Sequence, residues 1–199
     1  MGSGNKVSLM NNAVETAPTL VRGGHVWPLS VPAYRALGEA GLIPEDTELL
    51  YGTVYRKMAK SPLHSSLVTR MLDLLKDSVP KGCFIRCEQP ITCDDSEPEP
   101  DLAIIRGSQE DFWEEHPRTA GLVLEVCVTS HEYDRAKLNA YAASVKECWF
   151  VLGPEKQVEV YREPKDGMYL QRSVHGPGGI LTSPPLPNLK LSLDRLFTK

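Results

Sequence analysis

Two stretches decide the fold: EPDLAII, residues 99–105, and LVLEVCVTS, residues 122–130. In the first, the turn-forming Glu-Pro pairs lead into Asp101 and a short apolar run. In the second, Glu125 is the single charged residue of a run that is otherwise apolar as far as Val128. Apolar runs of this length, without polar alternation, are typical of strands covered on both faces. We therefore predict that the two stretches form central strands of one sheet.

The carboxylates of Asp101 and Glu125 indicate a metal site at these strands. Burying an ionised carboxylate is costly unless a positive charge pairs with it. Mg²⁺, or Mn²⁺ in its place, meets that need, because two carboxylates and a backbone carbonyl such as that of Val126 are hard oxygen ligands. Two alternatives stay open. Asp101 could be a turn residue that bonds its local backbone, and Glu125 could face solvent at a sheet edge.

The segment after Glu125, residues 130–144, is predicted to be one helix capped by Ser130, with Tyr133, Lys137 and Tyr141 on one face. An ammonium at Lys137 could hold the attacking water or help to deprotonate it. Asp134, one turn earlier, could orient the lysine or reach a second metal. Asp134 and Lys137 could equally be a solvated helix pair, and we expect the tyrosines to pack without a catalytic role.

The rest of the chain predicts helices and further strands around this centre. Residues 1–24 are interpreted as a flexible arm and 25–199 as one domain. Amphipathic spacing predicts helices, strand-type runs predict β-structure, and turn signals near the C-terminus indicate antiparallel strands that finish the sheet. The predicted helices cover 31–41 and 62–79, the predicted hairpin or strand 48–58, and the predicted strands 83–93, 147–152, 158–163 and 168–173.

Composition limits the classes of protein that this chain can be. Its 199 residues are 41% hydrophobic and 24% charged, as in globular domains, and no apolar run approaches the length of a membrane span. The start of the chain has no secretory pattern, so we expect a cytoplasmic protein. Five cysteines, an odd number, favour free thiols, with zinc at Cys83, Cys87 and Cys93 as the alternative. The net charge of −4 argues against a broad basic surface, so contact with nucleic acid would be local.

The central motifs, followed by YDRAKLNAYAASVKECWFVLGPEKQVEVYR at residues 133–162, resemble the PD-(D/E)xK nuclease superfamily, and more closely its Uma-type restriction endonucleases. The upstream stretch TELLYGTVYRKMAKSPLH, residues 47–64, matches the same family, so the resemblance covers roughly residues 30 to 196.

The resemblance implies an α/β (α+β) restriction-endonuclease-like core, with a mixed central sheet flanked by helices and extra antiparallel strands. Asp101 would be the superfamily's PD aspartate and Glu125 the second metal ligand. The lysine that normally follows the second acid by two residues is replaced here by Cys127, and Lys137 would supply it from the next helix. His64 and Glu48 match a family histidine and a family acid and would support the site.

These observations predict a Mg²⁺-dependent endonuclease that hydrolyses DNA, acting as a homodimer in the cytoplasm. The alternative is a nuclease fold retained as a weak or inactive nucleic-acid-binding or regulatory module, with Cys127 marking the loss of an efficient site. The position of Lys137 separates the two hypotheses, because a hydrolytic site requires its ammonium beside Asp101 and Glu125.

Overall fold

The two decisive stretches form neighbouring strands in the middle of a six-stranded sheet. The computed structural model describes residues 25–129 and 131–198, so the predicted arm 1–24 and the predicted cap Ser130 lie outside the described residues. The helices are α1 Val31–Glu39, α2 Pro62–Leu75, α3 His131–Ala136, α4 Leu138–Ala142 and α5 Leu193–Phe197, with a 3₁₀ turn at Gln109–Phe112. The strands are β1 Thr47–Leu50, β2 Thr53–Arg56, β3 Cys83–Cys87, β4 Leu102–Arg106, β5 Leu122–Cys127, β6 Cys148–Leu152, β7 Gln157–Lys165, β8 Met168–His175, β9 Ile180–Ser183 and β10 Leu186–Ser192.

The large sheet has the strand order β3-β4-β5-β6-β7-β8, and the hairpins β1–β2 and β9–β10 form two small sheets of their own. Within the large sheet only β5 and β6 run parallel. A parallel pair needs a crossover, which α3 and α4 provide. The mixed sheet with helices and extra antiparallel strands confirms the predicted fold class.

The side chains of β5 alternate between the two faces of the sheet and pack into two different cores. Leu122 and Leu124 face a core that includes α2 and the C-terminal hairpin. Val123 and Cys127 face a second core that includes Tyr141 of α4. Glu125 shares the parity of this second set, since successive side chains of a strand alternate between its faces. The carboxylate of Glu125 therefore points toward the layer that contains α3 and α4.

Several predicted bounds were wrong for local reasons. α1 and α2 stop at Glu39 and Leu75, and Pro80 disfavours helix for the residue before it. The strand predicted over 83–93 pairs only as far as Cys87, because Glu88 adopts a φ of 52° that leaves the extended region. The C-terminal strands are antiparallel as predicted, since β6 pairs with β7 and β7 with β8 in that sense, and β6 is parallel to β5 on its other side.

The helix predicted over 130–144 is broken at Lys137. α3 ends at Ala136 and α4 begins at Leu138. At the break the Lys137 N–H bonds the carbonyl of Asp134, three residues back, at 3.1 Å. The predicted single helix is thus two short ones, with the candidate lysine between them.

All five cysteines are free, in agreement with the expectation of thiols. In residues 25–129 and 131–198, no helix combines the length and the apolar character needed to cross a membrane.

A buried carboxylate, Glu159 of β7, fastens α3 to the sheet. Arg135 of α3 donates to both Glu159 oxygens, at 3.1 and 2.7 Å. Arg172 and the Tyr161 hydroxyl donate to the same carboxylate at 2.7 and 2.6 Å. Burial alone would raise the pKa of Glu159, but the hydrogen bonds from Arg135, Tyr161 and Arg172 outweigh it and lower the pKa to about 2.

Replacing Glu159 by glutamine is expected to lower the free energy of unfolding at neutral pH by about 1 to 2 kcal/mol, since the arginines are partly exposed. A carboxyl group whose pKa is lowered by folding stabilises the folded state at pH values above its ordinary pKa. The difference between wild type and variant should therefore fade as the pH falls from about 4.5 to about 2. Urea unfolding across this range measures it. Glu163→Gln, an exposed carboxylate of the same strand bonded to Gln171, is the control; a difference that persists near the lower limit would contradict the assignment.

Candidate active site

A cleft of about 740 Å³ contains every side chain that the sequence predicted for the site. It opens between the β1–β2 hairpin, the start of α2, the entry to β4, the end of β5, and α3. The predicted residues that line it are Glu48, His64, Asp101, Glu125, Val126, Asp134 and Lys137. The chain brings together, in one place, residues that are up to 89 positions apart in the sequence, counting from Glu48 to Lys137.

Asp101 lies directly before β4, and its carboxylate reaches across to β5. Its Oδ2 accepts the backbone N–H of Val126 at 2.7 Å. Its Oδ1 is 3.1 Å from Nε2 of His64. The antiparallel pairing of Leu102 with Leu124 explains this reach, because it places the start of β4 beside the end of β5. The carboxylate therefore bonds the neighbouring strand, rather than a local turn.

Glu125 is 3% exposed and is held by two donors on one oxygen. The Tyr141 hydroxyl donates to Oε1 at 2.6 Å, and the Lys137 ammonium lies 3.3 Å from the same oxygen. Burial raises the pKa of Glu125 above its ordinary value, while the charge of Lys137 opposes that rise. The side chain is neither at a sheet edge nor facing solvent, so the structural alternative for Glu125 is wrong.

The Lys137 ammonium is buried between two carboxylates. Its Nζ lies 3.1 Å from Oε1 of Glu48 and 3.3 Å from Oε1 of Glu125. Burial alone would lower the pKa of Lys137, but the charges of Glu125, Glu48 and Asp134 outweigh it and raise the pKa. The side chain therefore keeps its proton. Of the two roles predicted for it, holding a water or a phosphate fits this state, whereas accepting a proton does not.

Glu48 of β1 has both oxygens engaged by the protein. Its Oε1 accepts the Tyr133 hydroxyl at 2.5 Å in addition to facing Lys137, and its Oε2 accepts the Glu99 N–H at 3.1 Å. The carboxylate is 1% exposed. This arrangement fits a residue that holds Lys137 in place.

Two hydroxyls of the site were missed from sequence. Tyr133 and Tyr141 were expected only to pack, yet their hydroxyls bond Glu48 and Glu125. The signal was present in their spacing of four residues on either side of Lys137. This spacing puts all three side chains on one helical face, and a buried tyrosine hydroxyl needs a hydrogen-bond partner.

His64 and Asp134 complete the wall of the cleft. His64 lies in the first turn of α2, where its backbone N–H donates to Oγ of Ser61 at 3.2 Å. With Nε2 near Asp101, its Nδ1 is buried and has no hydrogen-bond partner among the described residues. Asp134 is buried on α3 and bonds the Cys127 thiol.

Cys127 occupies the position where the superfamily pattern has lysine. It is fully buried, and burial together with the nearby charges of Asp134 and Glu125 raises the pKa of its thiol. The thiol therefore stays neutral. The positive charge beside Glu125 comes from the Lys137 ammonium, 3.3 Å from Oε1.

The oxygen ligands of the cleft fit a Mg²⁺ ion that is held by only a few protein groups. In the described part of the chain, no three His, Cys, Asp or Glu side chains are arranged to hold a metal, which also removes the zinc alternative at Cys83, Cys87 and Cys93. Mg²⁺ is commonly held by one or two carboxylates, with water and substrate phosphate completing its shell. Eight carboxylates and four Lys or Arg side chains line the cleft, so a divalent cation would offset its excess negative charge. The carboxylates are Glu45, Asp46, Glu48, Glu88, Glu99, Asp101, Glu125 and Asp134.

Comparison with known proteins agrees with this fold. The Uma2 family, described as "Putative restriction endonuclease", matches residues 42–194. A solved structure described as "a putative nuclease belonging to DUF820 from Anabaena variabilis" superposes with a TM-score of 0.66 and 20% sequence identity. The superposition covers 81% of this chain and 97% of the Anabaena chain, and at that identity it shows a shared fold. The search of curated proteins gives no significant match.

Proposed function

Because this chain belongs to the Uma2 family of restriction-endonuclease-like proteins, we propose that it is an endonuclease that hydrolyses phosphodiester bonds of DNA with Mg²⁺ or Mn²⁺. The observation that carries the proposal is the convergence of the Asp101 and Glu125 carboxylates with the Lys137 ammonium in one cleft. The fold shared with a nuclease-like structure supports it.

The two strand carboxylates, with the carbonyl of Val126, would hold the divalent cation. When bound, such a cation polarises a phosphoryl oxygen and lowers the pKa of water. The protein fixes both carboxylates beforehand. The Val126 N–H holds Oδ2 of Asp101, and the Tyr141 hydroxyl holds Oε1 of Glu125. Preorganised ligands need no rearrangement when the substrate arrives.

Lys137 would position the attacking water and offset charge on the phosphate. Its ammonium has three protons to donate, and Glu125 and Glu48 fix its direction. Because neighbouring charges raise the pKa of Lys137, its contribution is a fixed positive charge and a hydrogen bond. Asp134 adds to the negative field that keeps Lys137 charged.

His64 would assist from the opposite wall of the cleft. Its Nε2 lies near Asp101, and the unpartnered Nδ1 marks polar capacity that the described residues do not use. A water molecule that donates to Nδ1 would satisfy it. We assign His64 to the support of the Asp101 carboxylate, with contact to the substrate as its second role.

The binding-module alternative predicts that the lysine points away from the strand acids. The position of Lys137 beside Glu125 supports hydrolysis over that alternative. The two are separated by incubating the protein with plasmid DNA, duplex oligonucleotides and RNA in Mg²⁺, in Mn²⁺ and in a chelator. Cleavage of DNA that requires the cation supports the proposal, and binding without cleavage under every condition would favour the module.

The cations on the cleft wall are proposed to bind DNA phosphates. Arg56, Lys57 and Lys60 follow one another along the end of β2 and the next loop, and all three line the cleft. Each forms an ion pair with an acidic cleft residue: Arg56 with Asp46, Lys57 with Glu99 and Lys60 with Glu88, at 2.7, 2.7 and 2.6 Å. The Arg56 and Lys60 pairs are exposed and the Lys57 pair is half-buried. Pairs that water can reach are weak, so a phosphate backbone can replace the acidic partners.

Replacing Lys57 and Lys60 by alanine is expected to weaken DNA binding evenly across sequences. Each lost phosphate contact should reduce the slope of log K against log salt by about 0.9. Binding measured by fluorescence anisotropy in Ca²⁺ over a salt series tests this. Lys76→Ala, which breaks a 2.8 Å pair with Asp73 outside the cleft, is the control. An unchanged slope in the double variant would refute the assignment.

We also propose that the protein acts as a homodimer in the cytoplasm. Cutting both strands of a duplex is simplest with two sites related by a two-fold axis. The edge strand β8 carries exposed Met168, Leu170 and Val174. Light scattering of the protein, alone and with duplex DNA, tests the dimer, and a monomer in both states would exclude it.

A further inference from the structure

The helix that carries Lys137 is interrupted at the lysine, and a side chain from the β1–β2 hairpin fills the interruption. In a continuous α-helix the Ala140 N–H would bond the carbonyl of Ala136, four residues back. Here the Tyr51 hydroxyl lies between the two groups. It donates to the Ala136 carbonyl at 2.6 Å and accepts the Ala140 N–H at 3.0 Å. One hydroxyl thus replaces one backbone hydrogen bond of the helix.

The insertion accounts for the local geometry around Lys137. A side chain inserted into the i to i−4 ladder is one of the known causes of a break or kink in a helix. The Lys137 N–H bonds Asp134 at the shorter i−3 spacing, and the regular spacing resumes when the Tyr141 N–H bonds the Lys137 carbonyl at 3.0 Å. The irregularity therefore spans residues 136–140 and includes the residue whose side chain enters the site.

Tyr51 holds this position in an unusual backbone conformation. Its φ is +52°, in the left-handed region, and Gly52 follows at +72°. Together they form the two-residue turn between Leu50 and Thr53. Such turns favour Asn, Asp or Gly, because a bulky residue at positive φ is strained. Strain of this kind persists where surrounding structure enforces it, and it clusters at functional sites.

The turn is fastened on its other side, so it can serve as a rigid support. The Tyr51 N–H donates to Oγ of Ser96 at 2.8 Å, and the Gly52 N–H donates to the carbonyl of Asp95 at 2.9 Å. The same hairpin carries Glu48, whose carboxylate lies 3.1 Å from the Lys137 ammonium. The hairpin thus contacts the segment around Lys137 twice: Tyr51 bonds its backbone, and Glu48 pairs with the Lys137 ammonium.

We propose that Tyr51 is a positioning residue: its hydroxyl holds the break between α3 and α4 open and thereby directs the Lys137 ammonium toward Glu125 and Glu48. The consequence for catalysis rests on the proposed nuclease function. The consequence for the helix and for the burial of Lys137 does not depend on that function.

The test is Tyr51→Phe, which removes the hydroxyl and keeps the ring. The Ala140 N–H is expected to bond the Ala136 carbonyl directly, which closes the break and turns Lys137 away from the carboxylates. Displacement of a catalytic group by about 1 Å can cost roughly 100-fold in rate, so kcat should fall by about 10- to 100-fold. KM for DNA should stay within about twofold, because the cleft wall that meets the phosphates is unchanged.

The matched control is Tyr55→Phe. Tyr55 belongs to the same hairpin and meets α3 through its ring, edge-on to Tyr133 with centroids 5.7 Å apart. Loss of its hydroxyl should leave both kcat and the helix break unchanged. An equal fall in kcat for both variants would overturn the proposal, because it would show a general sensitivity of the hairpin.

Two readouts are independent of nuclease activity. A crystal structure of Tyr51→Phe shows whether the Ala140–Ala136 bond has formed. Amine acylation followed by mass spectrometry shows whether Lys137, 5% exposed in the wild type, has become accessible. A closed helix and severalfold faster labelling of Lys137 support the proposal, even if the wild type cleaves no DNA. An intact break with Lys137 still protected would overturn it.

A second variant covers the case in which Tyr51→Phe folds poorly. Tyr51→Asn suits a positive φ, and its side chain is too short to reach the helix. It is expected to close the break and expose Lys137 to labelling as Tyr51→Phe does. A protected Lys137 in this variant would likewise overturn the proposal.

Discussion

Asp101→Asn is expected to reduce DNA cleavage by about 1,000-fold and to weaken the binding of a divalent cation to the cleft. The substitution keeps the shape of the side chain, and its amide oxygen can still accept the Val126 N–H that holds Oδ2 at 2.7 Å. What is lost is the negative charge next to β5. The fold should therefore survive while the proposed metal site fails.

Cation binding and cleavage are measured separately for this variant. Binding of Mn²⁺ is followed by electron paramagnetic resonance, and cleavage is followed under single-turnover conditions. Asp73→Asn, on the exposed surface of α2, is the control and should behave as the wild type in both assays. Undiminished Mn²⁺ binding by Asp101→Asn would remove Asp101 from the proposed ligand set.

Lys137→Met is expected to have the second large effect, about 100- to 1,000-fold on the cleavage rate. Methionine fills a similar volume but leaves Glu125 and Glu48 buried without the ammonium that lies 3.3 and 3.1 Å from them. Removing one partner of a buried pair costs about 3 to 5 kcal/mol of stability. A divalent cation can replace part of the lost charge, so it should stabilise the variant more than the wild type.

Lys137→Met is therefore expected to change two measured quantities in opposite directions. Cleavage falls, whereas the increase in melting temperature on adding Mn²⁺ grows. Lys146→Met, an exposed lysine of the same chain segment, serves as the control for both measurements. If Lys137→Met cleaves DNA at the wild-type rate, the lysine is only a structural counter-ion and the proposed replacement of the superfamily lysine is wrong.

Sequence alone predicts the strand carboxylates well, for a physical reason. An acidic residue inside an otherwise apolar strand needs a partner that offsets the cost of its burial. The apolar residues on both sides of Glu125 therefore indicate a site. Asp101 is weaker evidence by itself, since an aspartate after proline is common in turns. The antiparallel pairing of β4 with β5 brings the two together.

The residues alone left the role of Lys137 open between a catalytic ammonium and a solvated helix pair, and the resemblance favoured the first. Nothing in the local sequence distinguishes Lys137 from the lysine of a solvated helix pair, because its burial depends on Glu48 in a distant hairpin. The spacing of Tyr133, Lys137 and Tyr141 correctly indicated one helical face. Their hydroxyl partners lie on other elements, and therefore the polar role of the tyrosines was not predicted.

The break in the helix is beyond local sequence for the same reason. Residues 131–142 have good helical spacing, and the hydroxyl that interrupts them comes from Tyr51, 85 positions before Ala136. The parallel pairing of β5 with β6 was not specified beyond a mixed sheet, because strand composition does not encode direction. It follows from the crossover that α3 and α4 make between β5 and β6.

The most direct test of the proposed function is the conversion of supercoiled plasmid by wild type and Glu125→Gln, purified side by side and assayed with Mn²⁺ or Mg²⁺. Glutamine preserves the acceptor for the Tyr141 hydroxyl, 2.6 Å away in the wild type, while it removes the buried charge. We predict that the wild type nicks and linearises the plasmid only when the cation is present, and that Glu125→Gln leaves it supercoiled. Equal cleavage by both proteins, or none by the wild type with either cation on any DNA, would contradict the account.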